Sequence, residues 1–420
     1  MQQQLGAARR GSAAPQRGAA AARCQPPPLN SRRRVVTAPP LAAAAPATTT
    51  QTTAESLPPY AGEGDKKWHR LPVKHVIEAQ QFGREALDVV FATACDMEKL
   101  VAAQRRAPLG SAGPPDGRLL AGRVMATLFY EPSTRTRLSF EAAMARLGGS
   151  VLSTESAGEY SSAAKGETLE DTIRTVEGYA DAAVLRHFAE GSARRAASAS
   201  SIPVINAGDG PGQHPTQALL DVYSILKELR GEAAMVRGGG GGGSSSASNG
   251  NGGSSGGGDK SLLAGAKIAM VGDLAHGRTA RSLAYLLGSQ YPGVEITFVA
   301  PPVVRMGEDI KQFLSRKGCA WQERDDLREV ASAADVVYMT RIQKERFRSE
   351  EDYAQAKGKY ILDKQILSAM RRDAVVLHPL PRVDEISAEC DSDPRAAYFR
   401  QAQNGLFVRM ALLKLAMGGE

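Results

Sequence analysis

Several things are missing from these 420 residues, and each absence removes a class of protein. No run of about 18 uncharged apolar residues occurs, so no stretch reads as a membrane-spanning helix. Only four cysteines are present, Cys24, Cys95, Cys319 and Cys390, far apart and without a C-x-x-C. That spacing argues against a structural zinc site or a disulfide framework and fits a reducing compartment. Neither G-x-G-x-x-G nor a G-K-[ST] phosphate loop appears, which removes the common dinucleotide and nucleoside-triphosphate fingerprints. The first 54 residues contain no Asp, Glu or Lys, yet hold seven arginines.

That last asymmetry explains the net charge of +7. Of 52 Lys and Arg, seven lie in the first 54 residues; the other 45 balance the 45 Asp and Glu, all of which follow them. The body of the chain is formally neutral, so the basic excess is no footprint of a nucleic-acid surface. An Ala-, Pro-, Thr- and Arg-rich, acid-free start without one continuous apolar core reads as an organelle transit peptide over residues 1–60, plastid before mitochondrion, rather than as a secretory signal. A merely disordered tail is the plainer alternative.

What is present centres on Phe129–Gly149, F-Y-E-P-S-T-R-T-R-L-S-F-E-A-A-M-A-R-L-G-G. Val124–Tyr130 reads as a buried strand, broken by Glu131 and Pro132. Ser133 stands where a helix N-cap belongs. Phe140, Ala143, Met144 and Leu147 supply a helical apolar face, and Gly148-Gly149 a stop. Two hydroxyls (Ser133, Thr134) and two guanidiniums (Arg135, Arg137) crowd the helix start, where free N–H groups already favour an anion. A capped amphipathic helix with surface arginines is the bland alternative; the strand, Glu-Pro break and full S-T-R-T-R run favour an oxyanion site.

The remaining pattern alternates strand and helix. Trp68–Ala102 reads as mainly helical and 105–117 as a loop. A short strand over Ser150–Ser153 leads through a polar loop, 154–164, to Lys165 and a helix marked by Leu169, Ile173, Val176 and Ala180. Strands are expected at Ala182–Leu185, ending in Arg186-His187, and at Pro203–Ile205. A turn-rich loop, Asn206–Gln213, then gives way to a helix opening with His214-Pro215-Thr216-Gln217. Gly238–Gly258 is a 21-residue Gly/Ser/Asn/Ala run that can bury no core; it is assigned no chemistry. Further strands are expected at Lys267–Val271, Val294–Ala300, around Trp321, at Val336–Met339 and at Ala374–Leu377. Polar clusters follow three of them: His276–Thr279, Thr340–Gln343 and His378–Arg382. An apolar helix, Phe399–Met417, should pack back on the first half. The expected fold is α/β: two similar-sized domains, each a central parallel sheet flanked by helices. In such sheets ligands gather beyond the strand ends.

The candidate groups Ser133, Thr134, Arg135, Thr136, Lys165, Arg186, His214, Gln217, Arg278, Arg341 and Gln343 are donors, with no paired carboxylates, metal-ligand cluster or Ser-His-Asp order. Fixed cations and amides suit a highly anionic substrate pair and act by orienting it and stabilising charge that develops on oxygen. Direct transfer between two bound substrates fits this set better than a covalent enzyme intermediate.

E-P-S-T-R-T-R at 131–137, K-G-E-T at 165–168, D-G-P-G-Q-H-P-T-Q at 209–217, G-R-T at 277–279, M-T-R-I-Q-K-E-R at 339–346 and L-H-P-L-P-R-V-D-E-I at 377–386 together resemble the aspartate carbamoyltransferases, catalytic chain, over about residues 68–420. The resemblance implies the transcarbamylase fold. It implies a carbamoyl-phosphate domain over 68–215, completed by the C-terminal helix 405–420, and an aspartate domain over 216–404 that carries the 238–258 insertion. It also implies carbamoyl transfer to L-aspartate in pyrimidine synthesis, no cofactor or metal, and a homotrimer with active sites shared between subunits. Plant-type members suggest UMP as a feedback inhibitor; neither nucleic acid nor membrane is implied as a partner.

Carried across, the family's roles give carbamoyl phosphate to Ser133, Thr134, Arg135, Thr136 and Arg186. Thr136, Arg186 and His214 face its carbonyl oxygen, and Gln217 its amide. Arg278, Arg341 and Gln343 take the two aspartate carboxylates. Leu380, held by Pro381, turns its main-chain oxygen to the attacking amine, at the border of both substrates. Ser161 and Lys165 reach in from the neighbouring subunit, Lys165 toward both substrates. Ornithine carbamoyltransferase, which shares S-T-R-T-R, is the nearest rival; it typically has H-C-L-P where this chain has His378–Pro381, and lacks the arginine-bearing T-R-x-Q. A catalytically silent scaffold is the rival from another class, and the presence of Arg135, Lys165 and His214 speaks against it.

Overall fold

A computed structural model describes residues 71–108, 118–155, 166–232, 261–347 and 349–418. The leader expected over 1–60, the loop bearing Ser161 and Lys165, and the 238–258 insertion lie outside the described residues.

Two parallel sheets organise the fold. The first has strands β1 (Val124–Phe129), β2 (Ser150–Glu155), β3 (Ala182–His187) and β4 (Val204–Asp209) in the order β2-β1-β3-β4. The second has β5 (Lys267–Val271), β6 (Glu295–Val299), β7 (Ala320–Arg324), β8 (Val336–Met339) and β9 (Val375–Leu377) in the order β7-β6-β5-β8-β9. Every ladder is parallel. β3, β4, β8 and β9 are buried along their whole length, as expected of strands covered on both faces by helices.

The helices are α1 (Arg84–Arg106), α2 (Thr134–Arg146), α3 (Leu169–Val176), α4 (Ser192–Ser198), α5 (Pro215–Arg230), α6 (Arg278–Gln290), α7 (Glu308–Arg316), α8 (Leu327–Ala333), α9 (Glu350–Ala356), α10 (Lys364–Ala369) and α11 (Tyr398–Met417). α11 buries Phe407, Val408, Met410, Leu412, Leu413 and Leu415 and lies against α1, α2 and α5. α5 also packs on α6, which joins the cores of the two sheets.

Several local expectations change. The helix expected from Trp68 begins at Arg84; residues 71–83 hold a single 3-10 turn, Ala79–Gln81, before Gly83 leads into α1. β4 extends to Asp209, taking in half of the expected loop: the Asn206 amide bonds Ile77 O (2.9 Å) and Asp209 Oδ1 (3.1 Å) and so ties down the polar end of the strand. Ala180 falls past the end of α3. Ser133 occupies the N-cap of α2 with extended backbone, yet its side chain makes no capping bond; its residue instead lines the cavity described next.

Candidate active site

Each sheet has one place where the chain switches direction of travel: between β1 and β3 in the first, between β5 and β8 in the second. Neighbouring connections there leave to opposite sides and open a crevice at the carboxyl ends of the strands. Both crevices open into one cavity of about 750 Å³. Glu131–Thr136 follow β1, Arg186 ends β3, and His214 and Gln217 open α5 after β4. From the second sheet come Arg278 after β5, Thr340, Arg341 and Gln343 after β8, and His378–Pro381 after β9. Of the fourteen expected site residues, the cavity gathers twelve: Ser133, Thr134, Arg135, Thr136, Arg186, His214, Gln217, Arg278, Arg341, Gln343, Leu380 and Pro381. Ser161 and Lys165 are outside the described residues.

Some neighbours singled out in the sequence turn away. Arg137 points its Nη1 to Ser153 Oγ (3.1 Å) and Glu141 (3.4 Å), so only one of the two helix-start guanidiniums, Arg135, lines the cavity. His187 follows Arg186 on a strand and therefore faces the opposite side; its Nδ1 accepts from Ala189 N–H (3.0 Å) and lies 2.9 Å from Ser192 Oγ. Arg382 pairs with Asp391 (2.6 Å) beneath Tyr398 and does not line the cavity.

The cavity is strongly cationic. Arg135, Arg186, Arg278, Arg341, Arg346 and Arg409 line it, with Glu131 the one carboxylate among the described lining residues. Glu131 spans the two sheets: Oε1 accepts from Arg186 Nη2 (2.8 Å) and Oε2 from Arg278 Nη1 (3.4 Å). Arg186 also donates to Ala207 O (3.1 Å), and Arg278 to Gly210 O (2.6 Å). Burial and the neighbouring Arg278 pull the Arg186 pKa down to about 10, with Glu131 opposing. Burial likewise lowers Arg278. Desolvation, then the charge of Arg341, lowers Arg135. Arg409, donated from α11, is fully buried, drawn to about 10 by desolvation, and rests over the Phe140 ring at 5.1 Å while bonding Ser139 Oγ (2.9 Å). Such a field selects anions and strengthens at short range in a water-poor cleft.

His214 is held neutral. Burial, then Arg278, Arg186 and Arg409, push its pKa well below the ordinary value, and its Nδ1 has no partner. Gln217, one turn on, donates Nε2 to Asp221 Oδ1 (2.8 Å), which leaves its carbonyl oxygen for the cavity. Leu380 has φ 49, the one non-glycine residue at positive φ among those described. Its N–H donates to His378 Nδ1 (2.8 Å), while His378 Nε2 meets Glu385 Oε1 (2.7 Å). Burial lowers the His378 pKa, so a neutral imidazole braces the turn that presents Leu380 and Pro381.

Glu131, Arg346, Arg409 and Asp221 are not among the expected site residues, although Glu131 and Arg346 fall in the motifs at 131–137 and 339–346. Arg346 closes the quoted 339–346 motif and reaches back to Gln343 Oε1 (3.2 Å). Asp221 carried a readable signal: it follows Gln217 by four residues on α5 and so shares its side. Among the described residues no group of three or more His, Cys, Asp or Glu is placed to hold a metal, and no helix is long and apolar enough to cross a membrane.

Two α/β domains whose switch points share one arginine-lined cleft make a two-substrate group-transfer architecture. Residues 74–227 match the family model described as aspartate/ornithine carbamoyltransferase, carbamoyl-P binding domain, and residues 264–416 match the corresponding Asp/Orn binding domain. The chain belongs to this carbamoyltransferase family. It is 57% identical over 350 residues to the rice (Oryza sativa subsp. japonica) protein named aspartate carbamoyltransferase, chloroplastic, covering 83% of this chain and 86% of that one. The catalytic subunit of M. jannaschii aspartate transcarbamoylase superposes with TM-score 0.67 at 41% identity, covering 82% of this chain and 98% of that one. Trypanosoma cruzi aspartate transcarbamoylase, solved with carbamoyl phosphate and aspartate, does so with TM-score 0.68 at 37% identity, covering 83% and 98%.

Proposed function

We propose that the chain transfers the carbamoyl group of carbamoyl phosphate to the amino group of L-aspartate, giving N-carbamoyl-L-aspartate and phosphate, in pyrimidine biosynthesis. The observation that carries this reading is a cleft cationic on both walls. Arg135 and Arg186 stand on the first-sheet wall; Arg278, Arg341 and Arg346 stand on the second. A phosphate ester and a dicarboxylate each find guanidiniums, whereas the cationic arm of ornithine would face Arg341 and Arg346.

Ser133, Thr134, Arg135 and Thr136, at the start of α2, hold the phosphate with Arg186. The aspartate amine attacks the carbonyl carbon, and the electron pair of the C=O collects on oxygen. Thr136, Arg186 and the neutral imidazole of His214 donate to that oxyanion. Gln217 accepts from the carbamoyl NH₂ through its free carbonyl oxygen. The oxyanion then re-forms the C=O as the bond between the carbamoyl carbon and the bridging phosphate oxygen breaks, and phosphate departs with the proton that the attacking nitrogen, cationic in the tetrahedral adduct, must lose. Arg278, Arg341 and Gln343 hold the two carboxylates, and Leu380, set by Pro381, offers its carbonyl to the amine.

Ser161 and Lys165 complete the site from an adjacent subunit of a homotrimer, and UMP is the proposed inhibitor. The catalytic body comprises a carbamoyl-phosphate domain, 68–215 with the C-terminal helix, and an aspartate domain, 216–404. A plastid stroma location is supported by the acid-free leader and by the name of the rice relative.

Purified chain supplied with carbamoyl phosphate should release phosphate with aspartate and far more slowly with ornithine, unchanged by EDTA. Faster turnover with ornithine, or loss of turnover in EDTA, overturns the reading.

A further inference from the structure

Two amides of the cavity wall, Gln217 and Gln401, are tied from behind by a carboxylate that the chemistry above does not use. Asp221 on α5 is fully buried. Its Oδ1 accepts from Gln217 Nε2 (2.8 Å) and from Gln401 Nε2 on α11 (2.6 Å), and its Oδ2 from the Tyr338 hydroxyl on β8 (2.7 Å). Gln401 is itself buried, and its Oε1 accepts from the backbone N–H of His378 (2.8 Å). One carboxylate thus touches both the helix that opens with His214 and, through one amide, the loop that carries Leu380.

Orientation follows from bonding capacity. Burial raises the Asp221 pKa to about 7, yet both amides meet Oδ1 while Tyr338 meets Oδ2; a proton carried on Oδ2 leaves Oδ1 an acceptor, so in either state Gln217 and Gln401 turn their NH₂ groups toward it. For Gln217 this leaves the carbonyl oxygen as the end available to the cavity. For Gln401 it leaves a carbonyl that can pin the His378 N–H, two residues before Leu380. Without Asp221, either amide could rotate and present a donor where an acceptor is needed. Its isolation from water also makes an unmatched donor there costly, which sharpens the choice.

We propose that Asp221 and Gln401 are positioning residues: a buried relay that holds the Gln217 carbonyl toward the carbamoyl amide and keeps the Leu380 loop in register with it across the cavity. The roles given to Gln217 and Leu380 rest on the carbamoyl-transfer reading. The relay keeps the acceptor for the carbamoyl NH₂ and the acceptor for the attacking amine at a fixed separation. Its loss therefore misaligns the two substrates while the arginine contacts to phosphate remain.

The test uses the full-length protein with Asp221→Asn, Gln401→Leu, Gln217→Ala and the Asp221→Asn/Gln217→Ala double variant. Wild type must first turn over aspartate; if it does not, the functional reading fails before the relay is addressed. Misplacement at the reacting atoms can lower kcat by roughly 10²-fold, so each of Asp221→Asn and Gln401→Leu should lose kcat on that order. Carbamoyl phosphate binding, followed by calorimetry, should stay within about threefold, since phosphate contacts dominate it. A purely structural role would lower the melting temperature and the folded fraction but leave kcat per folded site alone. In the double variant the losses should fail to add, because Asp221 acts through Gln217. Unchanged kcat per folded protein in both single variants, or fully additive losses in the double, overturns the proposal. Should Asp221→Asn not fold, Gln401→Leu decides the question by the same kcat and binding readouts.

Discussion

His214 shows how far a residue's setting can move its chemistry. The sequence places an imidazole at a helix start; the structure buries it among Arg278, Arg186 and Arg409 and drives its pKa well below 6.5. A proton there would add one more cation to a cationic cleft, so the ring stays neutral, and in the proposed reaction it serves as a neutral donor. Linkage fixes the sign of the effect on stability. The unfolded chain binds a proton near its ordinary pKa that the folded chain refuses, so this contribution is complete above about pH 6.5 and is lost as pH falls below it. Wild type should therefore lose more melting temperature between about pH 7.5 and about pH 5 than His214→Asn does. Over that range kcat should show no inflection that the substitution removes. His214→Ala should lower kcat about 10²–10³-fold, the usual loss for one oxyanion donor.

At the level of elements, the informative places are strand ends. β4 ends at Gly208 and Asp209, where the chain bends so that two arginines can approach its backbone. Gly208 has φ 116, and a Cβ there would come within 3.0 Å of Arg186 Nη1 and 3.1 Å of Arg278 Cζ. Gly208→Ala should thus strike both guanidiniums at once: a destabilisation of about 1 kcal/mol or more from the backbone alone, and weaker binding of both substrates in steady-state assays.

The same strand ends show what was legible in the chain. S-T-R-T-R could be read because strand, break and helix start are consecutive and their polar groups share one end of one helix. β5 and β8 were read at their true bounds because each is a short apolar run closed by a polar cluster. The Asp221 relay could not be read in full: its partners Tyr338 and Gln401 lie 117 and 180 residues away, one inside an apolar strand and the other one of several polar residues that open α11. Tertiary packing alone brings them together. Ser133 misled for a local reason, since N-cap position and N-cap bonding separate when the hydroxyl's residue belongs to a cavity wall.

The whole molecule adds a prediction about sharing. If Arg135 serves its own site and Lys165 the neighbour's, Arg135→Ala and Lys165→Ala homotrimers should each be nearly inactive. Reassociating equal amounts should create interfaces with both residues intact. A cyclic mixed trimer in either two-to-one ratio contains one such interface, so activity should return toward roughly one site in three. Verified mixed trimers as inactive as their parents would show that both residues act within one chain.

The two switch points opening on one cavity also bear on how the enzyme could acquire new acceptors. On the proposed reading, the donor's contacts come mainly from the ends of β1 and β3, while the acceptor's come from Arg278 and from segments 340–346 and 378–381 on the other sheet. Those segments are strand-end loops, and their exchange leaves every ladder of the first sheet untouched. Donor chemistry can then stay fixed while acceptor choice drifts, like one plug accepting different sockets. The family model that matches the second half, described for either Asp or Orn, already spans two such sockets.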